Sequence, residues 1–361
     1  MMSPAQRSPF SDMTVDHLRF YVTDLDEQVR RFTGGYGFRP YADAESAAEG
    51  RSAGLGAGRI RLVLTAPPEG DHPGAAYLSR HADGVADIAL GVADARAAYA
   101  AAVAAGARPV AEPSERDGFV TATIGGFGDT VHTFVQRPAG ADERSLPGLP
   151  ARPAAGAADG GDGTGLFAVD HLAVCVEAGE LEATERFYRR VLGFETIFTE
   201  RIAVGAQAMI TTVVQSMSGE VTLTLIEPDP SRTAGQINDF LKTHDGPGVQ
   251  HIAFATRDIT GTVRAMAAGG VDFLTTPDGY YRLLPERLTV ARHTVPELRE
   301  LNVLVDADHD GQLFQIFTRS AHPRATLFFE VIERLGARSF GSGNIRALYR
   351  AVESTRTGAE G

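Results

Sequence analysis

The chain has 361 residues, room for two domains of ordinary size, and its 43% hydrophobic and 22% charged content is that of a soluble globular protein. A formal charge of −12 excludes nucleic acid and an anionic membrane as main partners, because both need a basic surface. Cys175 is the only cysteine, which excludes an intramolecular disulfide and a thiolate-rich metal site; with no apolar leader and no bilayer-length run, a reducing, cytoplasmic setting is expected.

From the N-terminus, VDHLRFYV (Val15–Val22) alternates as a strand, and GRIRLVLTAPP from Gly58 does the same. DGVADIALGV (Asp83–Val92) is a further strand, followed by an alanine-rich helical stretch that ends at Ala105-Gly106 ahead of Pro113. VHTFVQR from Val131 closes this half. Residues 138–165, rich in Pro, Gly, Ala and Asp and without periodicity, read as a surface linker. The series then restarts. VDHLAVCV (Val169–Val176) matches the first strand, and Leu181, Thr184, Phe187, Tyr188, Val191 and Leu192 recur at helical spacing before Gly193. MITTVVQS and GEVTLTLIEPDP follow around a turn at Ser218-Gly219. PGVQHIAFAT (Pro247–Thr256) leads into a helix over 259–268, LFQIFT and LFFEVIE close the sheet, and a last helix carries Ile345, Leu348, Tyr349 and Val352 on one stripe.

Four matching segments in the same order point to an internal duplication, with domains at 1–137 and 166–361 joined by the 138–165 linker. The class is α+β: two tandem domains, each of paired βαβββ units. This arrangement resembles the vicinal-oxygen-chelate superfamily, which implies a C-terminal half-open barrel covered by the closing helix.

Alternation places His171 on a face with Val169, Ala173 and Cys175, His251 with Val249 and Ala253, and Glu330 with Phe328 and Ile332. Each apolar face thus carries one metal-capable group. A bare carboxylate among Phe328, Phe329, Val331 and Ile332 is costly to bury, and either a divalent cation or an arginine would compensate it. Two imidazoles and a carboxylate on neighbouring strands suit iron(II), leaving three coordination positions open. The matching positions in the first half are His17, Asp87 and Thr133, so one metal is expected, in the second half. His72, His81, His244, His293, His309 and His322 read as surface residues, and His132 as structural.

VDHLAVCV, PGVQHIAF, LFQIFT, TLFFEVIERLGARSFGSGN and ALYRAVE resemble the 4-hydroxyphenylpyruvate dioxygenase family over nearly the whole chain. The resemblance implies Fe(2+) held by His171, His251 and Glu330, with O2 and an aromatic α-keto acid as reactants. It also implies a pocket polar at Thr211, Gln236 and Gln315 and apolar at Phe317, Phe328 and Phe340. Ring-hydroxylating members carry a P-x-N-E-P strand motif and phenylalanines in the last helix. Here the stretch is Thr224-Leu225-Ile226-Glu227-Pro228, and the helix has Ile345 and Tyr349. These four departures, Thr224, Ile226, Ile345 and Tyr349, resemble the sister branch that forms (S)-4-hydroxymandelate toward the 4-hydroxyphenylglycine of nonribosomal peptide antibiotics. The alternatives are homogentisate formation in tyrosine catabolism, extradiol ring cleavage and a non-enzymatic ligand-binding protein of the same fold. A homodimer is left open.

Overall fold

The structure, a computed structural model, describes residues 8–142, 144–151, 163–322 and 324–346. The first βαβββ unit runs β1 (Thr14–Tyr21), α1 (Leu25–Tyr36), β2 (Arg39–Ser46), β3 (Gly50–Ala57) and β4 (Ile60–Ala66). After α2 (Pro73–His81) comes the second, with β5 (Gly84–Gly91), α3 (Ala95–Ala104), β6 (Pro109–Arg116), β7 (Phe119–Gly125) and β8 (Val131–Gln136). The third comprises β9 (Leu166–Cys175), α4 (Leu181–Leu192), β10 (Glu195–Val204), β11 (Gln207–Gln215) and β12 (Thr222–Pro228), followed by α5 (Gln236–His244). The fourth starts with β13 (Gly248–Thr256) and α6 (Ile259–Ala268) and ends with β14 (Leu304–Ala307), β15 (Gln312–Phe317) and β16 (Phe328–Leu335). Between α6 and β14 it carries α7 (Asp278–Arg287) and α8 (Val295–Glu300), which the sequence reading did not anticipate.

The units pair into two eight-stranded sheets of identical topology, β2-β3-β4-β1-β5-β8-β7-β6 and β10-β11-β12-β9-β13-β16-β15-β14. The fold is therefore α+β with two tandem copies of one architecture. Helix starts are fixed locally: Asp24, Asp94 and Asp258 each accept a backbone N–H from the first turn of α1, α3 and α6. The closing strand of a unit can also supply an acceptor. Glu227 at the end of β12 takes the N–H groups of Gly179 and Leu181, and Glu333 on β16 takes that of Ile259. Gly193 ends α4 at φ +69°, the left-handed conformation a glycine adopts without cost.

Alternation divides the second sheet into two faces with different tasks. Ile252, Phe254, Phe329 and Val331 point into a core shared with the first half, where Phe32, Tyr36 and Phe38 meet Phe254 and Phe329 edge-on or tilted. The opposite face carries His171, His251 and Glu330. Buried His132 extends this shared core, its ring nitrogen 2.8 Å from the Tyr188 hydroxyl on α4.

Two expectations change. The segment read as a surface linker is partly packed: Leu146 and Leu149 are buried against Ala42 and Val63. His81, His244 and His322 are buried too. His81 and His244 end equivalent helices and stack at 4.3 Å across the junction of the halves, a contact set by how the halves dock and invisible in either segment alone.

Candidate metal centre

Strand register brings the three groups together. In β9–β13 Ala253 pairs with His171 and His251 with Ala173; in β13–β16 His251 pairs with Phe328 and Ala253 with Glu330. The three side chains therefore rise from adjacent strands on one face, and one donor atom from each lies within 4.8 Å of the others. Both imidazole Nε2 atoms are 3.4 Å from Glu330 Oε2. Ligands on neighbouring positions of an octahedron, at metal distances of about 2.1 Å, stand about 3 Å apart, so the spacing fits a divalent ion. Among the described residues no other such cluster exists, and no arginine pairs with Glu330.

The electrostatics match a site built for a cation. Burial opposes charge on His171, yet the hydrogen bonds it donates to Asp170 and Glu330 outweigh it and hold the imidazole's pKa up at about 9. Burial also depresses the pKa of His251, and it opposes ionisation of Glu330, which the two histidines nonetheless hold below the usual carboxylate range. His171 donates from Nδ1 to Asp170 Oδ1 at 2.8 Å, which turns Nε2 toward Glu330, where a proton sits in the metal-free protein and a metal would take its place. Asp170 is clamped in turn by Arg334, whose Nε and Nη2 donate to its two oxygens at 2.8 Å each. Sequence reasoning missed Asp170 and Arg334. The signal was present: both halves read Val-Asp-His, and Arg137 stands in the first half where Arg334 stands in the second.

Three phenylalanine rings adjoin the cluster. Phe328 stacks on His251 at 4.9 Å, Phe317 meets it edge-on at 6.0 Å, and Phe340 meets His171 edge-on at 5.2 Å. Thr224 pairs with Ala173 and Thr211 with Ile226, which puts Thr211, Thr224 and Ile226 on the inner face. Gln315 is 1% exposed. Among the described residues the Thr211 and Thr224 hydroxyls and the Gln315 amide oxygen are buried without a hydrogen-bond partner. Such orphans cost about 1–3 kcal/mol each, which a polar ligand would recover. Ile345, in the closing helix that starts at Ser342, packs on the buried cluster that contains Ala173, Cys175 and Ile226.

Gln236 departs from its expected place. It is exposed as the first residue of α5, at the edge of the buried stripe of Ile237, Phe240, Leu241 and His244. Tyr349 lies outside the described residues. Two further polar residues at the site went unread: Gln250, whose amide oxygen is 3.4 Å from His251 Nδ1, and Glu200, paired with Arg346 of the closing helix.

Sequence profiles of the Glyoxalase/Bleomycin resistance protein/Dioxygenase superfamily match residues 16–122 and 168–316, one in each half. The 4-hydroxyphenylpyruvate dioxygenase of Dictyostelium discoideum is 32% identical, over 94% of this chain and 96% of that protein. That of Caenorhabditis elegans is 31% identical over 95% and 91%. Among solved structures, a triple mutant of 4-hydroxymandelate synthase from Streptomyces coelicolor superposes with a TM-score of 0.85 and 43% identity, covering 96% of this chain and 99% of that one. The chain belongs to the 4-hydroxyphenylpyruvate dioxygenase family.

Proposed function

We propose that the chain is an iron(II)-dependent dioxygenase that converts 4-hydroxyphenylpyruvate and O2 to (S)-4-hydroxymandelate and CO2, toward 4-hydroxyphenylglycine for nonribosomal peptide antibiotics. Residues 166–361 form the catalytic domain in this reading and residues 1–137 a degenerate copy. The observation that carries the product choice is the inner wall. Thr224 and Ile226 stand where ring hydroxylators have proline and asparagine, and Ile345 of the closing helix packs on the cluster that contains Ile226. Identity supports the same choice, at 43% to a 4-hydroxymandelate synthase against 32% to a 4-hydroxyphenylpyruvate dioxygenase.

Bound to His171, His251 and Glu330, iron(II) would supply oxygen activation and a seat for the α-keto carboxylate. The protein supplies position. Asp170 orients His171, while Phe317, Phe328 and Phe340 hold the aromatic ring and keep water out. Thr211, Thr224 and Gln315 offer hydrogen bonds to the substrate's polar ends.

The second reading, homogentisate formation, draws on the names of the curated relatives and uses the same metal and substrate. The two products are isomers, so mass alone does not separate them. NMR of the product made from 4-hydroxyphenylpyruvate, iron(II) and O2 does. A benzylic C–H with a para-substituted ring is expected, and a trisubstituted ring would install the homogentisate reading. A protein with no stoichiometric iron and no oxygen uptake would be a binder instead.

A further inference from the structure

Arg334 makes two sets of bonds in opposite directions. Toward the metal cluster, Nε and Nη2 donate to both oxygens of Asp170 at 2.8 Å, and Asp170 in turn accepts His171 Nδ1–H at 2.8 Å. Toward the closing segment, Nη1 donates to the carbonyls of Ala337 at 3.1 Å and Ser339 at 2.6 Å, and the guanidinium lies 5.0 Å over the Phe340 ring. Phe340 then returns to His171 at 5.2 Å. His171, Asp170, Arg334 and Phe340 thus form a closed circuit of contacts. A planar guanidinium can serve both directions at once, and a lysine ammonium cannot.

The first half contains the same clamp without the circuit. Arg137 donates to Asp16 from Nε at 2.5 Å and from Nη2 at 3.1 Å, and its Nη1 reaches the Ser145 carbonyl at 2.8 Å. Its guanidinium covers Phe119 at 5.6 Å, but among the described residues no metal cluster and no closing helix adjoin it. The clamp is therefore a structural device of the fold, and what is added in the second half is the segment that it holds.

We propose that Arg334 is a positioning residue that couples closure of the 337–345 segment to the orientation of His171, so that Phe340 and Ile345 cover the site only when that imidazole is set for metal. Asp308 holds the same segment from its other side, accepting the N–H groups of Arg338 and Ser339 at 2.6 Å each, and completes the seat. The inference rests on the proposed metal role of His171.

The test uses the full chain and two readouts that need no turnover: hydrogen exchange of the 336–346 backbone, and titration with cobalt(II). Asp170→Asn touches nothing in the closing segment, yet it should speed exchange there by about tenfold. Arg334→Lys touches no metal ligand, yet it should weaken cobalt binding about 10–100-fold, the range for lost orienting partners. Arg137→Lys should leave both at wild-type values while lowering thermal stability. Wild-type exchange in Asp170→Asn, or wild-type cobalt affinity in a folded Arg334→Lys, would overturn the coupling. If Arg334→Lys does not fold, the exchange of Asp170→Asn decides alone. Wild-type protein that binds no cobalt would fail the metal reading itself, a result separate from either variant.

Discussion

Thr133 donates its hydroxyl to Asp87 across 2.6 Å, at the two positions that carry Glu330 and His251 in the second half. Its backbone N–H reaches the other oxygen of Asp87 at 3.0 Å, so the acid that remains there is satisfied by protein. Arg19, paired across the strands with Asp87, replaces the Ala173 of the second half and brings a cation to the same face. His17 keeps its bond to Asp16 at 2.8 Å, as His171 keeps its bond to Asp170. The duplicated site has thus been closed by a threonine and an arginine, while its outer support persists.

Removing one ligand should therefore act in one half only. His171→Ala, His251→Ala and Glu330→Ala are each expected to abolish stoichiometric iron and all activity while the fold is retained. His17→Ala should keep near-normal iron content. Metal analysis with circular dichroism checks this, and wild-type iron in any of the first three removes that residue from the ligand set.

Metal binding should strengthen with pH. His171 has its pKa raised to about 9 in the metal-free protein, above the ordinary value, so a proton occupies the donor that the metal needs. Its charged form adds stability to the metal-free fold that is complete below about pH 6.5 and is lost as pH rises through about 9. Cobalt affinity should then rise by up to about tenfold per pH unit toward that value and level off above it. Titrations at three pH values read this directly. A flat profile would mean that Asp170 and Glu330 do not hold a proton on His171.

The triad was legible in the sequence because alternation assigns a face to each strand residue and the duplication supplies a control for each position. The two sheets follow from the same repeat. What was hidden depends on register or docking between distant segments. Asp170 and Arg334 stand 164 positions apart and meet only because β9 and β16 flank β13. His81 and His244 stack only after the halves pack. Gln236 was matched to a family position, but as the first residue of α5 it lies at the edge of the buried stripe and is exposed. The α7–α8 insertion lacks the strand alternation that marks the rest, and the Pro285 inside α7 obscures its helical pattern.

Product choice should move with Ile345. The closing helix lays this side chain on the buried cluster that contains Ala173, Cys175 and Ile226, on the face from which His171, His251 and Glu330 rise. In a mandelate synthase the benzylic carbon, and not the ring, must face the metal, so the ring needs room to tilt away. Isoleucine leaves that room beside Ile226, whereas a phenylalanine would fill it and drive the ring back toward Glu330. Ile345→Phe, alone or with Tyr349→Phe, is therefore expected to divert part of the product from 4-hydroxymandelate to ring-oxidised species. Turnover should fall by about ten- to a hundredfold, the scale of an ångström's misplacement of reacting atoms. The ratio of benzylic to ring-substituted product by NMR measures the shift, and oxygen uptake measures the loss. Variants that form only mandelate would leave the proposed activity standing and move the determinant from the closing helix to Thr224 and Ile226 on the strand beneath.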